Sequence, residues 1–280
     1  MNSIILCEGR DDLWFIAYYL NKTNGWTPCN RPGKFFPYKI SPLSEKQSVE
    51  FFSKNEDCVA IWSVSGKDAI PFAISTILDK LVADLPMKGP ESIVLVRDKD
   101  NDDEKDVLTS FEECFSKKVH LNNTKNCVYH DIVDDEDVNI NITPLIIPFD
   151  RNGAIETLLL NAIRESSDEG EIIANEAETY IDRLLAFPNV GKSYLKKDRL
   201  ILKARYSAAV AVTNPDHSTA LFQGMVMSCP WEKSEYVKRH FDIIVNAITS
   251  ENAKYLKACP AMRGKFSVHI CESADGVSTL

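Results

Sequence analysis

Four short apolar runs punctuate the first 165 residues, each followed by a stretch with helical periodicity. They are Ile4-Ile5-Leu6-Cys7, Cys58-Val59-Ala60-Ile61-Trp62, Ile93-Val94-Leu95-Val96 and Leu145-Ile146-Ile147-Pro148-Phe149. Each is too short for a helix, and their Ile, Val and Leu content is that of strands buried on both faces. Helices are predicted over about 13–20, 69–84, 107–114 and 154–160. The first is apolar on nearly every side and so buried, with Asp11 or Asp12 to cap it. Strands alternating with helices predict an α/β fold with a mostly parallel, doubly wound sheet and right-handed crossovers. A further strand is expected over 126–132, with Asp134-Asp135-Glu136-Asp137 as a solvated turn.

The pattern changes near Ser166. Residues 171–187, 194–212 and 231–248 read as helices, and the acidic stretch 165–170 marks a boundary. The expected organisation is 1–165 as an α/β domain and 166–280 as a mainly helical region. The segment 26–44, with Pro28, Pro32, Pro37 and Pro42, reads as loop with one edge strand, and the tail after Lys265 as irregular. No apolar run reaches the 18 or so residues of a membrane span, and residues 4–7 are too short for a signal-peptide core. A cytoplasmic location without membrane contact is expected. The eight cysteines form no Cys-x-x-Cys pair and are expected as reduced thiols, and His269-Ile270-Cys271 alone makes no zinc site.

The polar residues beyond the strands carry the chemistry. Glu8-Gly9-Arg10-Asp11-Asp12 follows the first apolar run, Ser65-Gly66-Lys67-Asp68 comes after the second, and Asp98-Lys99-Asp100 after the third. In an open α/β sheet, ligands bind beyond the carboxyl ends of the strands. Carboxylates gathered there suit Mg²⁺ held against a phosphate. Gly9 is expected to permit a sharp turn and close approach of a phosphate.

These three motifs, in this order, resemble the Toprim fold of topoisomerases, primases, recombination proteins and overcoming-lysogenization-defect nucleases, over about residues 3–165. The resemblance implies Mg²⁺ or Mn²⁺ as cofactor, with Glu8, Asp98 and Asp100 as ligands and Glu8 also as general acid/base. The nuclease branch adds Asp12 and, after the sheet, a further acid that matches Glu156 beyond Gly153. It also adds a later basic residue matching Lys203 or Arg205. Small stand-alone bacterial Toprim proteins are similar over the Gly-x-x-Glu and Lys-Ala-Arg segments. Relatives of that kind serve as anti-phage defence effectors, so the resemblance implies a nuclease acting on DNA or RNA, with a partner ATPase or a homo-oligomer left open.

The net charge of −9 argues against broad nonspecific binding of nucleic acid, yet Lys192, Lys196, Lys197, Arg199, Lys203 and Arg205 form a local basic strip with one acid, Asp198. The strip reads either as a phosphate contact or as a solvated helix face, with Tyr194 and Tyr206 beside it as stacking or core residues. Asp98-x-Asp100 by itself also suits a haloacid-dehalogenase-like phosphatase or a nucleotide-sugar transferase, both of which leave Glu8-Gly9 idle. A non-catalytic Toprim module is the third alternative. Residues 186–193 end in Gly191-Lys192-Ser193 but lack the first glycine and the preceding strand of a P-loop, and no calcium loop is completed after Asp98.

Overall fold

In the computed structural model the four apolar runs become adjacent strands of one seven-stranded sheet. The strands are β1 (Asn2–Cys7), β2 (Thr27–Pro28), β3 (Ser48–Lys54), β4 (Asp57–Ser63), β5 (Ser92–Asp98), β6 (Cys127–Val133) and β7 (Glu136–Ile147), in the order β2-β3-β4-β1-β5-β7-β6. The central four, β4-β1-β5-β7, are parallel. The flanking strands β2, β3 and β6 run antiparallel to their neighbours. Residues 1–30, 40, 44–83, 89–217 and 222–250 are described. The expectations for Pro32, Pro37, Pro42, His269, Cys271 and the tail after Lys265 fall outside them.

One strand expectation needs correction, and one strand was not foreseen. The fourth run is the end of a longer strand, whose first half forms a hairpin with β6 and whose second half pairs with β5. It stops at Ile147, because Pro148 has no N–H to pair. Strand β3 has no apolar run to announce it. It forms because a two-residue turn at Asn55-Glu56, with Asn55 at φ 54°, folds it back onto β4.

Alternation along each central strand sorts the core into two layers. Ile4, Leu6, Ala60, Ile93 and Leu95 face one side, covered by α2 (Ile70–Ala83) and α3 (Glu104–Cys114). Ile5, Cys7, Ile61, Val94 and Val96 face the other. That side carries α1 (Arg10–Asn24), α4 (Ile155–Arg164), α5 (Asp168–Leu185), α7 (Asp198–Thr213), α8 (Phe222–Ser228) and α9 (Glu235–Ile248). Helix α1 is apolar all round because it is packed between the sheet and the late helices. Its Phe15 ring lies 4.9 Å from that of Phe241, and Tyr19 Oη donates to Asp242 at 2.7 Å.

The change of pattern at 165/166 is therefore a change in secondary structure within one core. Met1–Thr249 form one compact unit, and of the second, Ser250–Leu280, only Ser250 is described. The helix expected from Tyr194 begins at Asp198, after a separate short helix α6 (Pro188–Ser193) that follows α5. A helix rather than a strand thus precedes Gly191-Lys192-Ser193, in keeping with the rejected P-loop. Among the described residues, no helix is long and apolar enough to cross a membrane.

Candidate active site

All four parallel strands deliver their carboxyl ends to one place, where backbone hydrogen bonds lace the loops together. Gly66 N donates to Glu8 O at 2.8 Å, joining the β1 and β4 loops. Asp100 and Gly153 exchange two bonds, of 2.6 and 3.0 Å, joining the β5 and β7 loops. Gly153 sits at φ 145°, and a Cβ there would lie 2.3 Å from Thr157 Oγ1, so only glycine fits. Gly9 is different. Its φ of −129° is open to any residue, and a Cβ would meet Asp12 at an ordinary 3.5 Å. The expected need for a glycine turn there does not hold.

Glu8, Asp12, Asp98 and Glu156 are all buried. Asp12 caps α1 by accepting from Gly9 N at 2.8 Å, and Asp98 accepts from Ile155 N at 3.1 Å at the start of α4. Glu8 Oε1 and Glu156 Oε2 have no hydrogen-bond partner. Burial pushes the Glu8 carboxyl up to about 7, aided by the charges of Asp12 and Asp100 and opposed by Arg97 and Arg199. Burial also lifts Asp12 to about 7, with Glu156 adding to the rise. Asp98 is raised well above the usual carboxylate range by burial, then by Asp12, Glu8 and Glu156. Half-buried Asp100 stands at the rim.

Three cations face these acids. Lys203 Nζ lies 2.5 Å from Glu156 Oε1 and 3.1 Å from Asp11 Oδ2. Burial works against its charge, but Glu156 and Asp11 outweigh that and hold the ammonium protonated. Arg199 is held charged by Asp98, Glu156, Asp12 and Glu8 despite partial burial, so it belongs to the acid cluster as well as to the basic strip. Arg97 was not anticipated. It is buried at the end of β5, with Nε 3.7 Å from Glu8 Oε1 and its other arm bonded to Asp102, which also holds Lys67 at 2.8 Å. The sequence does carry a clue, since an arginine inside Ile93-Val94-Leu95-Val96-Arg97-Asp98 must find a carboxylate.

The rest of the basic strip disperses. Arg205 pairs with Asp182 at 2.6 Å, while Lys192, Lys196 and Lys197 are exposed. Tyr206 is a core residue and Tyr194 is at the surface. Arg199 and Arg205 line a cleft of about 590 Å³ together with Lys67, Asp100, Asn152 and Leu202.

The donor set fits a hard divalent cation: clustered carboxylate oxygens, two of them unsatisfied, whose mutual repulsion such an ion relieves. As they stand, no three acidic, imidazole or thiol groups among the described residues could hold one ion between them. Holding one ion by three or more of these groups would require the side chains to turn.

No curated protein matches the chain. A solved structure that is similar, the hypothetical protein PH0156 from Pyrococcus horikoshii OT3, aligns over 91% of this chain and 98% of its own. Its identity is 17% and the TM-score 0.52, a likeness of fold alone. A family model described as protein of unknown function (DUF3226) matches residues 2–242, across both the acid cluster and the late helices, and the chain belongs to that family.

Proposed function

We propose that this protein is a Mg²⁺- or Mn²⁺-dependent phosphodiesterase of Toprim type that cleaves DNA or RNA. The observation that carries the reading is the meeting of four buried carboxylates, from the β1, β5 and β7 ends, with unsatisfied oxygens on Glu8 and Glu156. So many acids in one place destabilise an empty site, and a bound divalent cation offsets that. Glu8, Asp12, Asp98 and Glu156 would hold the ion, with Asp100 at the rim. When bound, it draws electrons from the phosphoryl group and stabilises the leaving oxygen. Glu8 would exchange a proton with the attacking water, the acid/base role that the Toprim resemblance implies. Lys203 and Arg199 balance the negative charge that grows on the phosphoryl oxygens. The phosphatase alternative leaves Glu8 and Glu156 without work. A role in bacterial anti-phage defence, and a partner ATPase, follow from the Toprim resemblance.

The test is hydrolysis of DNA, RNA and a chromogenic phosphodiester with Mg²⁺ or Mn²⁺. Wild type should cut at least one of them, and Glu8→Gln and Asp98→Asn should each lose at least about a thousand-fold while keeping the native circular dichroism. Full activity in both variants, or no cleavage by wild type, returns the site to a non-catalytic role.

A further inference from the structure

We infer that the surface around α6 is a binding platform for single-stranded nucleic acid, an inference that rests on the function proposed for the neighbouring acid site. Two aromatic rings bracket this short helix. Phe187 precedes it and is 62% exposed, and Tyr194 follows it and is 75% exposed. Phe187 is the extended N-cap residue of the helix and Tyr194 its C-cap, so one ring stands at each end. Their backbones are fixed, with Val190 N donating to Phe187 O and Tyr194 N donating to Val190 O, both at 2.9 Å. Single exposed apolar side chains are ordinary on a protein surface, so these rings count only together with the charge around them.

Charge complementarity selects the occupant. From 183 to 197 the chain has Arg183, Lys192, Lys196 and Lys197 and not one acid, although the whole protein is at −9. All four cations are exposed. Cations interleaved with aromatic faces suit a phosphate backbone with unpaired bases, each of which presents a face to stack. A duplex hides those faces in its own stack. The platform also runs into the site, because Asp198 and Arg199 follow directly and line the 590 Å³ cleft beside the acids. A strand laid on Phe187 and Tyr194 is thereby led toward Glu8 and Asp98.

The test uses the full chain in EDTA, so that binding is read without cleavage. Fluorescence anisotropy is measured with labelled oligothymidylate, oligouridylate and a duplex. Single strands should bind more tightly than the duplex, and the DNA and RNA arms report the preferred sugar. The Phe187→Ala/Tyr194→Ala variant should lose about ten-fold or more in affinity with an unchanged Tm. Removing Lys192, Lys196 and Lys197 should flatten the salt dependence by about 2 in the log–log slope. As a check independent of affinity, Phe187→Trp fluorescence should be quenched when the single strand stacks on it. Equal affinity for duplex, or full affinity and no quenching in the ring variants, overturns the platform. So does a wild-type dimer that dissociates on losing the rings, which would make this a protein interface. In those cases metal-dependent cleavage by wild type still upholds the proposed activity. Absence of both binding and cleavage removes the two readings together.

Discussion

Lys203 Nζ sits 2.5 Å from Glu156 Oε1, and this pair ties α7 to α4 across 47 residues of chain. Glu156 is 2% exposed and its carboxylate has no other protein cation at that distance among the described residues, while Lys203 remains partly open to water. Removing the lysine strands a buried charge. Lys203→Met should therefore destabilise the protein by about 2 kcal/mol, below the usual cost of breaking a fully buried pair because solvent screens the lysine. Adding Glu156→Gln should recover part of that loss. Urea unfolding of the two singles and the double would show whether the pair is coupled; additive losses would mean it is not.

The raised carboxyl groups have a defined pH signature. In the unfolded chain Glu8 and Asp12 titrate near about 4, whereas in the folded protein both sit at about 7. Between those values the native state holds more protons, so their contribution to stability falls as pH rises from about 4 to 7 and then levels off. Glu8→Gln, a mimic of the protonated acid, should be more stable than wild type at pH 8 in EDTA, with the gap closing toward pH 5. Thermal unfolding across that range reads it. A gap that is constant with pH would mean Glu8 is not raised.

Divalent metal should reverse that penalty. Mn²⁺ or Mg²⁺ should raise the Tm of wild type at pH 8 by ligand linkage. Asp98→Asn keeps an oxygen to accept from Ile155 N but loses the charge. Its Mn²⁺ affinity should drop by about 100-fold, at least as much as changes one layer further from a metal. Titration calorimetry with Mn²⁺ alone decides it, and equal affinity in both proteins would take Asp98 out of the ligand set.

Arg97 should prove indispensable although it touches no other strand's motif than that of Glu8. Its guanidinium is buried between Glu8 and Asp102. Arg97→Gln should cost about 3 kcal/mol, with a larger loss at pH 8 than at pH 5, because Glu8 then loses its ion-pair partner and keeps only the weaker influence of Arg199. Chemical denaturation at both pH values measures this.

The two glycines of the site should behave oppositely. Gly153→Ala forces a positive-φ residue and a clash with Thr157, and should cost about 2 kcal/mol or more. Gly9→Ala meets only ordinary contacts and should stay within about 1 kcal/mol of wild type. Equal losses in urea unfolding would refute the distinction.

Much of this arrangement was legible in the chain. The runs at Ile4, Cys58, Ile93 and Leu145 announce parallel strands because a strand buried on both faces has to be apolar throughout. Glu8 and Asp98 follow directly on their apolar runs and so stand at strand ends, whereas Glu156 was named only through the Toprim resemblance. Strand β3 and the first half of β7 stayed hidden, because they lie toward the margins of the sheet, are only partly buried and so carry no continuous apolar run. The late helices read as a separate region, yet α1 needs them to cover its outer face. What the sequence by itself determined is the set of acidic residues and the end of the sheet on which they stand. Which of them are buried together, that Arg97 lies among them, and that Arg199 and Lys203 return from α7 to face them, was decided only by tertiary packing. Those contacts join residues up to 192 positions apart (Lys203 and Asp11), and no local pattern encodes them.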